Sequence, residues 1–240
     1  MQPNRPALGL YIFALCFALT PLWAQTNSTA KPTSSGDWKA LFDGKTTEGW
    51  RGFKKDTFPT NGWVAEDGWL HCLGKSAKNG GGDIITVGDF KDFDLEWDWK
   101  QAPGGNSGVK YFIIESRNSA IGHEYQMIDD DKHADAKLAD GKRVTASFYD
   151  VLKPTVTTHP KAPGEINHSR ILAKGNHVEH WLNGVKVLEY ECDSDEVKEA
   201  VAKSKFKSVA GFSDQIKGHI LLQDHDTEVW FRDLRIRELR

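Results

Sequence analysis

From Asp37 onward the chain runs in short apolar stretches broken by Gly, Asn and Asp, and within most of them apolar and polar positions alternate. The stretches are "GWVAEDGWLHCLG", "GDIITVGDF", "FDLEWDWKQ", "SGVKYFIIES", "HEYQMID", "ASFYDVL", "SRILAKGNHVEHWLNGVKVLEYE", "GHILLQDH" and "TEVWFRDLRIREL". They are rich in Val, Ile, Trp, Tyr and Phe, types that pack well on a pleated, half-buried surface. Strands this short, at such regular intervals, predict an all-β sandwich of two antiparallel sheets. The Asn-Gly of "LNG" accepts positive φ at both central residues of a hairpin, and "AKGN" supplies a second tight reversal. Only "SDEVKEAVAKSKF", Ser194 to Phe206, has helical spacing, with Val197, Val201 and Phe206 on one side. It predicts one short surface helix. With no internal repeat and no second core, a single domain is expected over 37–240.

Strand parity sorts the polar residues. In "HEYQMID", Glu124, Gln126 and Ile128 share one face, while His123, Tyr125 and Met127 share the better core face. Glu124 and Gln126 therefore project from the sheet's open side. In "SGVKYFII" the apolar row is Val109, Tyr111 and Ile113, which leaves Lys110 and Phe112 on the other row. Ser147 and Tyr149 share a face in "SFYDV", as do Leu221, Gln223 and His225 in "LLQDHD". Repeated hydrogen-bonding side chains on outward rows are what a groove for a polyhydroxylated ligand needs, since each sugar hydroxyl exchanges water for a protein partner. The competing explanation is an ordinary solvated face with a Lys–Glu cross-strand pair.

Composition narrows the partners. A net charge of -3 over 240 residues gives no electrostatic reason to expect nucleic acid or an anionic membrane. The start, "MQPNRPALGLYIFALCFALTPLWA", reads as a signal peptide over 1–24, with Ala24 before the cleavage point and Pro21 interrupting a run short for a spanning helix. A polar, flexible leader is expected over 25–36, and a periplasmic or secreted location without a stable membrane anchor follows. Cys72 and Cys192 would then meet an oxidising compartment, but no spacing fixes their distance, so a bridge stays open. No zinc-type spacing is present. "DDDKH", Asp129 to His133, lacks the spaced ligands of a calcium loop and is expected to be a solvated acidic turn. His123, His168 and His180 are expected to be structural.

The series "WKALFDGKTTEGWRGF", "GWVAEDGWLHC", "GGGDIITVGDFKDFDLEWDWK", "GGNSGVKYFI", "GHEYQMIDDDKHADAK", "GEINHSRILAKGNHVEHWLNGVKVLEYE" and "GHILLQDHDTEVWFRDLRIREL" resembles, in order and from about residue 37 to the end, the 3-keto-disaccharide hydrolase family. The resemblance implies a concanavalin A-like jelly-roll of two curved sheets, with a ligand groove on one of them, and cleavage of glycosides already oxidised to a ketone at carbon 3. The chain departs from the family pattern at Asp226, where Gly is common, and at Ile166, where Trp is common.

That chemistry accounts for the polar rows. A ketone at carbon 3 acidifies the proton on carbon 2, so a base can remove it; the enolate then expels the group on carbon 1, and water adds to the double bond. The resemblance implies Glu124 or His225 as the base, Lys110 beside the enolate oxygen, and Tyr149 or His225 protonating the leaving oxygen. Gln126, Asn106, Asp83 and Gln223 would bind and orient hydroxyls. No cofactor is required, and a divalent metal assisting the enolate stays open. The expected partner is a 3-keto sugar or glycoside, and no pattern in the chain sets an oligomeric state. Two alternatives stand beside this one: a lectin-like module without turnover, and a conventional laminarinase-type glycosidase, whose Glu-x-Asp-x-x-Glu strand is absent.

Overall fold

Among the described residues, thirteen strands carry the fold: β1 (Lys39–Ala40), β2 (Trp50–Gly52), β3 (Trp63–Glu66), β4 (Trp69–Cys72), β5 (Ile84–Thr86), β6 (Phe93–Gln101), β7 (Asn106–Ile113), β8 (His123–Ile128), β9 (Asn167–Lys174), β10 (His177–Leu182), β11 (Val185–Glu191), β12 (His219–Leu222) and β13 (Val229–Glu238), with one α-helix, α1 (Asp195–Ala202). This computed structural model describes residues 1, 36–76 and 80–240. The signal peptide predicted over 1–24 and the leader predicted over 25–36 lie, but for their end residues, outside the described residues. Among the described residues, no helix is long and apolar enough to cross a membrane.

The strands form two antiparallel sheets. One has eight strands, ordered β11-β10-β9-β6-β13-β4-β3, with β1 joining β13; the other has five, ordered β2-β5-β12-β7-β8. Between them lies the core, where Trp63, Trp97 and Trp99 from the larger sheet pack with Tyr111, Tyr125 and Met127 from the smaller one. The predicted hairpins close as expected. Asn183 and Gly184 both take positive φ, 50° and 84°, between β10 and β11, and Gly175 takes 54° between β9 and β10. Ser194 caps α1 by accepting the Val197 N–H at 3.3 Å, and Val197 and Val201 are buried beneath it.

Two expectations fail, both for backbone reasons. Phe112 does not share a face with Lys110: it has φ 59°, and the register between β12 and β7 slips there, Leu221 facing Lys110 while His219 faces Ile113. This bulge turns Phe112 into the core against Phe93. Ile113 is thrown to the opposite face, where it packs with Ile85 and Leu221. The stretch "ASFYDVL" is not a strand. Ala146 and Asp150 take φ 66° and 63°, so the chain folds back in turns that meet β8 through a bridge of Phe148 with Tyr125 and through the Ala146 and Tyr149 N–H groups, which donate to Gln126 O and Glu124 O.

Candidate functional site

The floor of the site is the outer face of β7 and β8, the side turned away from the core. Lys110 and Glu124 are register partners across these strands, and Gly108 faces Gln126. The missing side chain at Gly108 is needed: a Cβ there would sit 2.7 Å from Glu124 Oε1. Around the floor lies a cleft of about 390 Å³, lined by Asn106, Lys110, Glu124, Gln126, Tyr149, Lys205, Gln223 and His225, together with Ala120, Ile121, Gly122, Phe206, Ser208 and Val209. That volume is of small-ligand size. A wider hollow of about 710 Å³ borders β1 and β5, but its ionisable residues, Lys39, Asp43 and Glu48, are all exposed.

Burial sets the electrostatics of the cleft. Lys110 Nζ stands 3.9 Å from Glu124 Oε2, and the two side chains are 11% and 7% exposed. Desolvation raises the Glu124 pKa, while the cationic Lys110 and Lys205 oppose the rise. Asp83 is raised in the same way, again mainly by burial and opposed first by Lys110. Tyr149 donates its hydroxyl proton to Asp135 Oδ2 at 2.7 Å; burial and that neighbouring carboxylate push its pKa up. Asn106 Oδ1 and Gln223 Oε1 are buried without a hydrogen-bond partner among the described residues. Unpaired acceptors of this kind are completed by a ligand or water that donates to them.

The structure thus brings seven of the eight sequence-predicted residues to one cleft: Glu124, His225, Lys110, Tyr149, Gln126, Asn106 and Gln223. Asp83 is the exception. It does not line the cleft, because its carboxylate turns inward to accept the Asp224 N–H at 3.0 Å, while Asp224 Oδ2 accepts the N–H groups of Gly81 and Gly82 at 3.2 and 2.9 Å. Its link to the site is through charge. Lys205 is a lining residue that the sequence does not single out: it falls within the helical stretch expected over Ser194 to Phe206, but α1 ends at Ala202 and Lys205 lies in the turn beyond it. Its backbone N–H donates to Asp150 Oδ2 at 2.8 Å, and its Nζ lies 4.0 Å from the Tyr149 ring centroid.

The remaining candidates have structural partners. His123 Nε2 donates to Phe212 O at 2.7 Å and His180 Nδ1 to Ala146 O at 2.9 Å, while His168 Nδ1 lies 2.9 Å from Asp98. The acidic turn is organised rather than merely solvated: the Asp129 carboxylate accepts the N–H groups of Gly104, Asp131 and Lys132, and Asp130 accepts that of Thr145 at 2.8 Å. Asp226, where glycine is common in the resembled family, has φ 62°. Cys72 and Cys192 are both buried and free. For metal binding, the His177, Glu179 and Glu189 ligand atoms lie within 4.8 Å of one another, but they sit on the larger sheet, and the Lys186 ammonium already lies 3.3 Å from Glu179 and 2.5 Å from Glu189.

Comparison with known proteins bears on what the cleft does. Residues 37–237 match the 3-keto-α-glucoside-1,2-lyase-like domain. A protein of Bacteroides thetaiotaomicron named 3-keto-disaccharide hydrolase is 36% identical, over 90% of this chain and 83% of its own. A candidate glycosyl hydrolase from Parabacteroides distasonis, solved by crystallography at 1.70 Å, superposes with a TM-score of 0.75 at 32% identity, covering 85% of this chain and 94% of that one. A non-specific endo-β-1,3(4)-glucanase of family GH16 superposes with a TM-score of 0.52 at 11% identity, covering 86% and 97%. That last likeness concerns the jelly-roll fold alone.

Proposed function

The chain belongs to the 3-keto-α-glucoside-1,2-lyase-like family and is a glycoside-cleaving hydrolase, and from that premise we propose that it acts on 3-keto-glycosides by elimination at carbons 1 and 2 followed by hydration. The observation that carries this reading is the buried Lys110–Glu124 pair on the cleft floor. Elimination needs a base beside a cation. Glu124 removes the carbon 2 proton, and its raised pKa makes it a stronger base than a solvated carboxylate. Lys110 stabilises the enolate oxygen that forms next to it, in a site where burial strengthens the attraction. Asn106 and Gln223 accept from sugar hydroxyls through their unpaired oxygens, and Gln126 extends that row. His225 stands at the exposed rim. The signal peptide expected at the N-terminus supports work in the periplasm or outside the cell, where oxidised sugars would be met.

Glu124→Gln tests the assignment because it keeps shape and removes basicity. Turnover of a 3-keto-glucoside should fall by roughly 10² to 10⁴ with folding retained, the range of a positioned general base. Undiminished turnover in a folded variant overturns the role of Glu124.

A further inference from the structure

Expulsion of the aglycone leaves an oxygen that must acquire a proton, and neither sequence-predicted donor is well placed. The Tyr149 proton is already given to Asp135. His225 is exposed, and its charge acts on Asp83 as well as on Glu124, on the latter less than Lys205 does. Proton donor and base act on adjacent carbons, so the donor belongs near Glu124. Lys205 meets that requirement: it lines the same cleft as Glu124, with its Nζ over the Tyr149 ring that also lines it, and after Lys110 it is the cation that most opposes the rise in the Glu124 pKa.

The chain holds Lys205 there by means that α1 does not supply. Ser204 and Phe206 on either side are buried. Phe206 stacks on Phe212 at 4.2 Å and 12°, and Asp150 fixes the Lys205 backbone N–H. These anchors leave the side chain at the cleft mouth with its Nζ over the Tyr149 ring at 4.0 Å. The groups facing its ammonium are Glu124 and Lys110 from the floor, and Arg143, Tyr149 and Asp150 from the neighbouring turns. The residue keeps a solvent-exposed flank, yet its crowded amine loses enough solvation for its pKa to be lowered.

Resting on the elimination reading above, we infer that Lys205 donates the proton taken up by the departing carbon 1 oxygen, and that the Tyr149 ring is the platform for its ammonium group. The electron count closes. The carbon 2–hydrogen pair becomes the carbon 2–carbon 3 double bond as Glu124 takes the proton, and the ketone pair moves onto its oxygen. That pair then returns to restore the ketone, the double bond shifts to carbons 1 and 2, and the carbon 1–oxygen bond breaks onto oxygen, which accepts a proton from Lys205. In hydration the neutral Lys205 amine takes a proton from water as its oxygen bonds to carbon 1, and protonated Glu124 returns its proton to carbon 2. Nothing is oxidised or reduced, and both side chains end as they began.

Leaving-group dependence tests this inference. Wild type, Lys205→Met, Lys205→Arg and His225→Gln are compared on a 4-nitrophenyl and a methyl 3-keto-glucoside. Nitrophenolate departs without help, whereas methoxide needs a proton. Lys205→Met should lose about a hundredfold or more on the methyl glycoside, the lower range for general acid catalysis, and less than about tenfold on the nitrophenyl one. Lys205→Arg should behave like Lys205→Met, because a guanidinium keeps both charge and proton. Equal losses on both substrates, no loss on either, rescue by arginine, or the split appearing in His225→Gln instead overturns Lys205 as donor. Failure of the wild type on both 3-keto substrates overturns the parent reading itself, a result distinct from any of these.

Discussion

Acidification from pH 7 to pH 5 should destabilise this domain through two histidines on the reverse side of the cleft floor. His123 precedes Glu124, and Tyr111 follows Lys110. Behind the floor, Ala146 O, His180, Tyr111, Tyr190, His123 and Phe212 O form one chain of contacts of 2.9, 2.7, 2.6, 2.9 and 2.7 Å. Burial lowers the pKa of His123 to about 3 and that of His180 to about 4. The carbonyls at the two ends fix the tautomers, and five links then share four protons when both rings are neutral. The Tyr111–Tyr190 link, at 2.6 Å, is itself a hydrogen bond, so the missing proton leaves one of the two imidazole–hydroxyl links unfilled. A first added proton completes the chain and a second has no link to fill, so the rings titrate in two separated steps. An unfolded histidine titrates near 6.5, so each ring still neutral at pH 5 costs about 2 kcal/mol, and the pair costs about 2 to 4. Because the folded values lie below the unfolded one, this stability is complete above pH ~6.5 and is lost as pH falls toward 4 and 3. At ~2–4 °C per kcal/mol for a domain of this size, Tm should fall by ~4–16 °C. The raised carboxyls of Glu124, Asp83 and Asp130 work in the opposite sense, so imidazole nitrogen shifts measured by NMR decide the matter. Both rings titrating together near pH 6.5 in the folded protein would refute the reasoning.

Other expectations follow from single positions. Gly108→Ala should cut activity by tenfold or more with the fold intact, because its Cβ would press on Glu124 Oε1 at 2.7 Å and a misplacement near 1 Å costs on the order of 10² in rate; activity near wild type contradicts the packing argument. Asp94, with a fully buried side chain, is held by Arg170 and Arg237, each 19% exposed. Asp94→Ala should therefore lower stability by ~2–4 kcal/mol, less than a wholly buried pair because both guanidiniums reach water. Turnover should not change, since this clamp lies on the sheet that does not carry the cleft; denaturant titration and a rate assay on the same sample check both halves. Cys192, whose pKa burial pushes up to about 12, and Cys72, pushed up likewise, should resist a thiol reagent such as dithionitrobenzoate in the folded protein and react once it is unfolded.

What alternation can reveal about this site ends where the backbone leaves the pleat. Period two holds along all of β8 and along β7 as far as Lys110, so the outward aim of Glu124, Gln126 and Lys110 was legible from residue types alone. It fails at Phe112, where positive φ inserts a bulge that no residue type announces; a phenylalanine is an improbable occupant of that conformation on local grounds, and its burial against Phe93 outweighs the local preference. Tyr149 reached the cleft although its predicted strand does not exist, because the turn through Ala146 and Asp150 carries it to the same place. Lys205 was invisible for a different reason. Its position depends on the distant Asp150 carboxylate and on Phe206 stacking with Phe212, contacts between segments whose meeting no local pattern encodes. A sheet can thus advertise the residues of its own face, whereas a cleft also needs walls, and walls are built from turns. In this protein the floor supplies Lys110 and Glu124, the pair suited to making an enolate, and the wall supplies Lys205. If Lys205 is the proton donor inferred above, the half of the reaction that depends on the aglycone rests on a turn outside the strand ladders, where substitutions would alter leaving-group preference without disturbing the sheet.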